Sequence, residues 1–561
     1  MTLTSSTRMK HAGTAALACV VALSASCKNF LDVNNNPNGP SSATVSPNLY
    51  LAPMLNWLVS DPQWDVSGGI PQYVQNFMDV TGPGGTFYHH TTFDEMGDFN
   101  TDVGKQAWRD VYWSWGQNLI DMNNKAQADQ RWDLLGVGMI LKGWGWAELA
   151  GLHGDIIVKE AFDQTRSKFD YDTEKYALDA AMQYYDSAIV LLHRTDGAVD
   201  AGYLGVGDHM YNGDRTKWLK FAYGARAILE NRYSNKASLY NPAKIIADVD
   251  SSFSSNADDA LLKYLGTQHD DLNFFGPTRQ NLNNKRQTQF TVSLMDGTVF
   301  GGTVDPRMSR MLAPSPDGQY RGMDPNQAQF GAYSTSQRPM NLWGYTNVPP
   351  GGSIGRYLFA DHEQTPVMTY SQLQFTKAEA AFRMGDKATA LQAYTNGISS
   401  HIDFVNARNQ DDQQTSGGRC NPTTNCAPPI TLISAAEKTA FLADPNIVPA
   451  AANLTMSDIM AQKYIAQWGW AFYEQWMDMR RFHYTDHYAG ETQEAFPGFA
   501  IPTTLYVLNA GKVIYRLRPR YNSEYVWNSA ALSQIQPVSG LADDYQTSPL
   551  WIVQPDGTPD H

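Results

Sequence analysis

Charge is scarce in this sequence, and basic charge scarcer still. Only 17% of the 561 residues are charged, with 42 Lys and Arg against 56 Asp and Glu, a formal net charge of −14 and a pI near 5.3. The clustered Lys and Arg that phosphate backbones require are missing, which argues against a nucleic-acid partner. The apolar run Ala12–Leu23 falls short of the ~20 residues a membrane-crossing helix needs, and no barrel-like alternation runs along the chain. Cysteine is limited to Cys19, Cys27, Cys420 and Cys426. No two further ligands that would make a zinc site stand near the last pair.

What is plentiful is aromatic surface: 12% of the chain, with 15 Trp and 29 Tyr. Rings of this kind fill cores, and on loops they serve as flat, rigid binding surface. The clearest local pattern is Gln372–Ser400. Leu373, Phe375, Ala378, Ala381 and Phe382 form one apolar stripe, and Ala388, Leu391, Tyr394 and Ile398 form a second. Met384-Gly385-Asp386 interrupts them, so the stretch predicts a helical hairpin with small residues at its seam. Its spacing is that of a tetratricopeptide unit of about 34 residues, which needs stacked neighbours to bury both faces.

Such neighbours are present. Helices are expected over Leu49–Val59, Pro71–Val80, Val103–Leu152 in two long pieces, Glu174–His193, Lys217–Tyr233 and Met456–Phe482. Gly143 and Gly145 each weaken their helix by roughly 1 kcal/mol, a cost that close packing on a neighbour would offset. Between residues 261 and 369 the helical pattern is lost to Gly, Pro, Asn and aromatics, and a loop region of this length points to function. The fold class predicted is therefore all-α with minor strand, a helical-repeat superhelix carrying one long aromatic-rich insertion. Alternating runs are few and short, such as Leu505–Leu508 and Val513–Leu517.

Residues 1–26 read as an export leader, with Arg8, Lys10 and His11 ahead of the apolar run and small residues before Cys27. Leu23-Ser24-Ala25-Ser26-Cys27 resembles a bacterial lipobox in which Cys27 is lipidated, departing from it at Ser24. Cys19 is the rival, but cleavage there would expose Val20–Leu23. Residues 27–48 form an Asn/Pro/Gly/Ser tether, and 49–561 form one helical domain. Cys420 and Cys426, six apart in an exported loop, are expected to form a small disulfide.

Catalytic signatures are weak. Gly351-Gly352-Ser353-Ile354-Gly355 has nucleophile-elbow spacing but follows Val348-Pro349-Pro350, and proline cannot continue the strand such an elbow needs. His483 and His487 lack the glutamate of a zinc helix, and the adjacent His89 and His90 lack metal-pair spacing. A glycosidase would need two carboxylates held about 5 to 10 Å apart across a sugar, which sequence does not reveal. For binding, sugar C–H faces stack on rings while polar side chains satisfy hydroxyls. The loop candidates are Trp64, Phe87, Tyr88, Phe274, Phe275, Trp343 and Tyr345.

Six groups of residues in register resemble the SusD/RagB family of outer-membrane nutrient-binding lipoproteins, in its starch-binding-associated subgroup. They are Cys27 with Phe30–Asn34 and Asn36–Asn38; Ala147–Ile156; Tyr211–Ala225; Asp305-Pro306-Arg307-Met308 with Tyr320-Arg321-Gly322; Leu373–Ile398; and Gln462-Lys463-Tyr464 leading to Tyr473–Trp476 and Arg480-Arg481. The resemblance implies a superhelix of four tetratricopeptide-like units tethered outside the outer membrane. It implies capture of an oligosaccharide, or in some members a peptide, without turnover and without cofactor. It also implies a TonB-dependent transporter as partner, with this body as its lid. Relatives exported to the surface often carry acidic residues soon after the lipidated Cys, whereas Lys28, Asn29, Phe30 and Leu31 precede Asp32 here.

Overall fold

The computed structural model describes residues 44–64, 69–80, 87–88, 106–326, 330–415 and 430–560, with short breaks at 265, 267, 347, 350–354, 504, 507–508, 536–537 and 543. Ten principal helices carry the body: α1 (Leu51–Trp64), α2 (Gly116–Ala128), α3 (Trp132–His153), α4 (Glu174–His193), α5 (Arg215–Arg232), α6 (Pro242–Ser251), α7 (Tyr370–Met384), α8 (Lys387–Thr415), α9 (Met456–Gln467) and α10 (Phe472–Arg481). From α2 to α8 each packs on the next along the chain, and α9 closes on α7 and α8. This is the all-α, tetratricopeptide-like repeat fold that the periodicity predicts.

The hairpin α7–α8 turns at Gly385, whose left-handed φ of 85° a side chain would resist. Thr369 caps the start of α7 through the Gln372 amide. In α3 the glycines have the packing role that their helix cost demands. A Cβ on Gly136 would stand 2.7 Å from Leu192 of α4, and one on Gly143 would stand 2.9 Å from the Tyr185 ring. Gly145 faces the other way, onto Val111 and Trp115.

Two expectations fail for local reasons. The segment Pro71–Val80 is helical only over Ile70–Tyr73; Gln75 takes φ 57°, and Phe77–Val80 becomes strand β1. It lies between β2 (Phe87–Tyr88) and β4 (Lys285–Gln287), pairing Phe77 with Gln287 and Val80 with Phe87. Met456–Phe482 is two helices, because Gly469 at φ 88° turns the chain beside the Phe359 ring. Strands β3 (Ala260–Leu262) and β5 (Thr365–Met368) pair antiparallel and so staple the two ends of the 261–369 insertion together.

Buried charge ties the repeats to the C-terminal helices. Arg481 of α10 donates to Glu379 of α7 at 2.7 and 2.9 Å and to Asp478 at 2.6 Å, while Lys463 of α9 reaches Asp478 at 2.7 Å. All four are buried. A second knot explains the Asp305-Pro306-Arg307 motif: Arg307 holds Asp305 and Gln462 at 2.5 Å and His401 at 2.9 Å. Burial, with Arg307 alongside, keeps His401 neutral.

Three other carboxyls are pushed upward, chiefly by burial: Asp155 to about 6, Glu174 to about 7 and Asp259 to about 8. Glu174 accepts the Trp551 and Ile552 amides, and Asp259 accepts the Tyr370 amide. A carboxyl whose folded pKa lies above its unfolded value binds more protons when folded. Stability therefore rises as pH falls from about 8 toward 4.5, by on the order of a few kcal/mol in total. Glu379, held below its usual range by Arg481 and Arg383 against the effect of burial, reverses the slope only at lower pH. Thermal melts at pH 5, 6.5 and 8 are expected to give the highest midpoint at pH 5; a midpoint climbing from 5 to 8 contradicts the assignment.

Candidate functional site

A cleft of about 580 Å³ opens between the segment preceding α2 and the C-terminal region. One wall carries Trp108, Arg109, Tyr112 and Trp113; the floor has Ile157, Ala161, Phe162 and Phe169; the far wall is Arg520, Ser523 and Glu524. Both walls include π-helix, over Asp110–Trp115 and Tyr521–Trp527. Such wide turns are rare and recur at functional sites.

The sequence builds this wall from the scaffold outward. Trp115 is buried and donates from Nε1 to the Met54 carbonyl at 3.2 Å, fixing the segment to α1. A Cβ on Gly145 would stand 3.0 Å from the Trp115 ring and 3.2 Å from Val111, so glycine there lets the wall lie directly on α3. Asp110, wholly buried, accepts Gln106 Nε2 at 3.0 Å and Ser114 Oγ at 2.6 Å and holds the turn from both sides. Tyr112 is locked by its hydroxyl, which donates to the Ile157 carbonyl at 2.7 Å and accepts the Ile157 amide at 3.0 Å. Burial raises that phenol well above its ordinary pKa, so it stays neutral.

The rings form a continuous bed. Tyr112 lies 5.0 Å from Trp108, 5.8 Å from Trp146 and 6.1 Å from Phe162. Trp113 stands out of it with 69% of its surface exposed, and the Arg109 guanidinium sits 4.9 Å from its ring centroid. On the far wall Glu524 accepts the Tyr171 hydroxyl at 2.7 Å and Asn528 Nδ2 at 3.0 Å. Ser523 Oγ is buried with no hydrogen-bond partner among the described residues. A rigid ring bed edged by a buried hydroxyl and guanidinium donors is suited to a flat, hydroxyl-bearing ligand.

The loop aromatics singled out in the sequence lie elsewhere. Phe275 and Trp343 are 2% and 1% exposed, Trp343 Nε1 donates to the Phe275 carbonyl at 2.8 Å, and Phe275 packs on Phe359 and Phe472. With Phe274, also buried, they are core: the insertion is loop-like in backbone but must bury its rings to hold itself together. Tyr345 is half-buried, its amide bound to Asn341 Oδ1. Trp64 ends α1, and Phe87 and Tyr88 form β2; their side chains lie outside the described residues, as do Cys27, Cys420, Cys426, His89, His90 and Ser353. His483 pairs with Asp486 at 2.6 Å and His487 with the Glu491 carbonyl. No metal-holding group of three His, Cys, Asp or Glu occurs among the described residues.

The sequence pattern over the cleft wall predicts plain helix, where the structure has a π-turn. A signal was available: Trp108, Tyr112, Trp113 and Trp115 crowd too many rings into two turns for one apolar stripe.

A protein-family model, SusD-like, described as starch-binding and associating with the outer membrane, matches residues 44–503. Comparison with curated proteins finds no match. Among solved structures, a SusD/RagB family protein from Bacteroides thetaiotaomicron superposes with a TM-score of 0.67 at 20% identity, covering 92% of this chain and 100% of its own. A SusD homologue from Bacteroides fragilis gives 0.64 at 17% identity over 91% and 100%. A chitin-binding SusD homologue from Flavobacterium johnsoniae gives 0.58 at 17% over 92% and 100%. At these identities the likeness is one of fold.

Proposed function

The chain belongs to the SusD-like family of starch-binding proteins that associate with the outer membrane, and on that premise we propose that it is a lipid-anchored receptor that captures an oligosaccharide in the Trp108–Trp113 cleft and passes it to a TonB-dependent transporter. The observation that carries this reading is the ring bed, with Trp113 raised from it and the Arg109 guanidinium beside it. Residues 1–26 would be the leader, Cys27 the lipidated anchor and 27–48 the tether, and Cys420 and Cys426 would form a disulfide in the exported chain. No helix among the described residues is long and apolar enough to cross a membrane, so onward passage of ligand calls for a separate transporter. Trp64, Phe87, Tyr88 and Tyr345 are candidates for a lid contact or a second ligand surface.

Binding without turnover is favoured over hydrolysis because a glycosidase needs two carboxylates flanking the bond. Glu524 is the one carboxylate among the described lining residues, and it is engaged by Tyr171 and Asn528. Calorimetry of the purified protein against starch- and chitin-derived oligosaccharides and peptides is expected to find glycan binding with no released reducing ends. Release would mark an enzyme, and binding confined to peptides would replace the glycan reading. Purification from the native membrane is expected to yield a lipidated Cys27 and a co-purifying barrel; an unmodified chain recovered alone refutes the lid arrangement.

A further inference from the structure

Resting on the reading of the cleft as a glycan site, we infer that it selects anionic sugar, a uronate-bearing oligosaccharide, over neutral glycan. The protein as a whole repels anions, with a formal charge of −14. The cleft departs from that balance: among its described lining residues Arg109 and Arg520 stand on opposite walls, and Glu524 is the single carboxylate. Glu524 is committed to Tyr171 and Asn528.

Four acids near the rim have partners among the described residues. Asp110 turns into its own helix toward Gln106 and Ser114. Glu160 and Asp163 share Arg166 at 2.9 and 3.3 Å, and Asp172 pairs with Lys159 at 2.5 Å. Arg109 makes no ion pair among the described residues; its guanidinium lies 4.9 Å from the Trp113 ring centroid. A sugar carboxylate entering the cleft beside Trp113 would therefore meet that guanidinium. The planar fork of that group matches a carboxylate with two parallel hydrogen bonds, whereas a neutral hydroxymethyl group offers only one weaker acceptor. Ser523 Oγ, buried and without a partner among the described residues, supplies a further polar contact for ring hydroxyls.

The test compares probes of equal length on the whole mature protein: hexagalacturonate, maltohexaose, chitohexaose and a sulfated hexasaccharide, each at 50 and 300 mM NaCl. Hexagalacturonate is expected to bind roughly tenfold or more tightly than the neutral hexasaccharides, a preference that weakens with salt. Arg109→Gln should abolish that preference with the thermal midpoint unchanged, and Arg109→Lys should retain part of it. Equal or tighter binding of neutral glycan overturns the inference, as does a uronate affinity indifferent to Arg109→Gln. Preference for the sulfated probe alone overturns carboxylate selection. Where neutral glycan binds and depends on Trp113, the glycan reading stands and only this inference falls. Where no probe binds, or binding ignores Trp113, that reading falls as well.

Discussion

Replacing Arg481 by methionine is expected to lower the unfolding free energy by about 3–5 kcal/mol, the range found when one partner of a buried ion pair is removed. Methionine roughly keeps the volume, so the loss is electrostatic. Glu379 and Asp478 each lose their closest cation in a region where all the participants are buried. Lys463 stands 3.9 Å from Glu379 and does not replace a bidentate guanidinium. Arg383 still reaches Glu379 at 3.0 Å, and Asn231 donates to it at 2.8 Å, which sets the loss below that of an isolated buried charge. Urea unfolding followed by circular dichroism measures the change, and Glu379→Gln in the same background is expected to recover part of it. A loss under about 1 kcal/mol would mean that these ions are solvated despite their burial.

That network was half legible in the sequence. Arg480-Arg481 and Gln462-Lys463 fall within the motifs that carry the family resemblance, and α4 begins where the apolar period puts it, at Glu174. Helical period reports which residues face inward, but not which inward charges meet, because Glu379 and Arg481 come together only once α7 and α10 are packed. The break in Met456–Phe482 was hidden for the same reason: Trp468-Gly469-Trp470 keeps an apolar pattern while Gly469 leaves helical φ. Val513–Leu517 alternates like a strand yet forms none. Tyr515 and Arg516 donate to the Gln546 carbonyl and Leu517 to Leu152, which joins the C-terminal region to the end of α3.

The site was less legible than the fold, because ring-rich loop and ring-rich core have one composition. Phe274, Phe275 and Trp343 carry the loop signature and are buried, while Trp113 carries a helical signature and is exposed. What separates them is the π-turn over Asp110–Trp115. It depends on Gly145 in a different helix and on the Trp115 bond to Met54, neither of which local pattern encodes.

Trp113→Ala is expected to weaken oligosaccharide binding by about 2 kcal/mol, roughly thirtyfold, as removal of an aromatic anchor does at the centre of a contact. Because the ring is already 69% exposed, the substitution should shift stability by no more than about 0.5 kcal/mol. Affinity and stability are thereby separated at this position. They are not separated next to it: Trp108 is buried against Tyr112 and His153, and its truncation would cost about 3–5 kcal/mol of stability whatever its role in binding. Tyr112→Phe is the intermediate case. It keeps the ring but strips the hydroxyl that both donates to and accepts from Ile157, so it should loosen the bed at a modest cost in affinity. The three variants give an order, Trp113 for affinity alone, Tyr112 for both and Trp108 for stability first. Titration by calorimetry beside thermal melts reads it out. An unchanged affinity in Trp113→Ala, with a bound glycan still detected, would move the ligand out of this cleft.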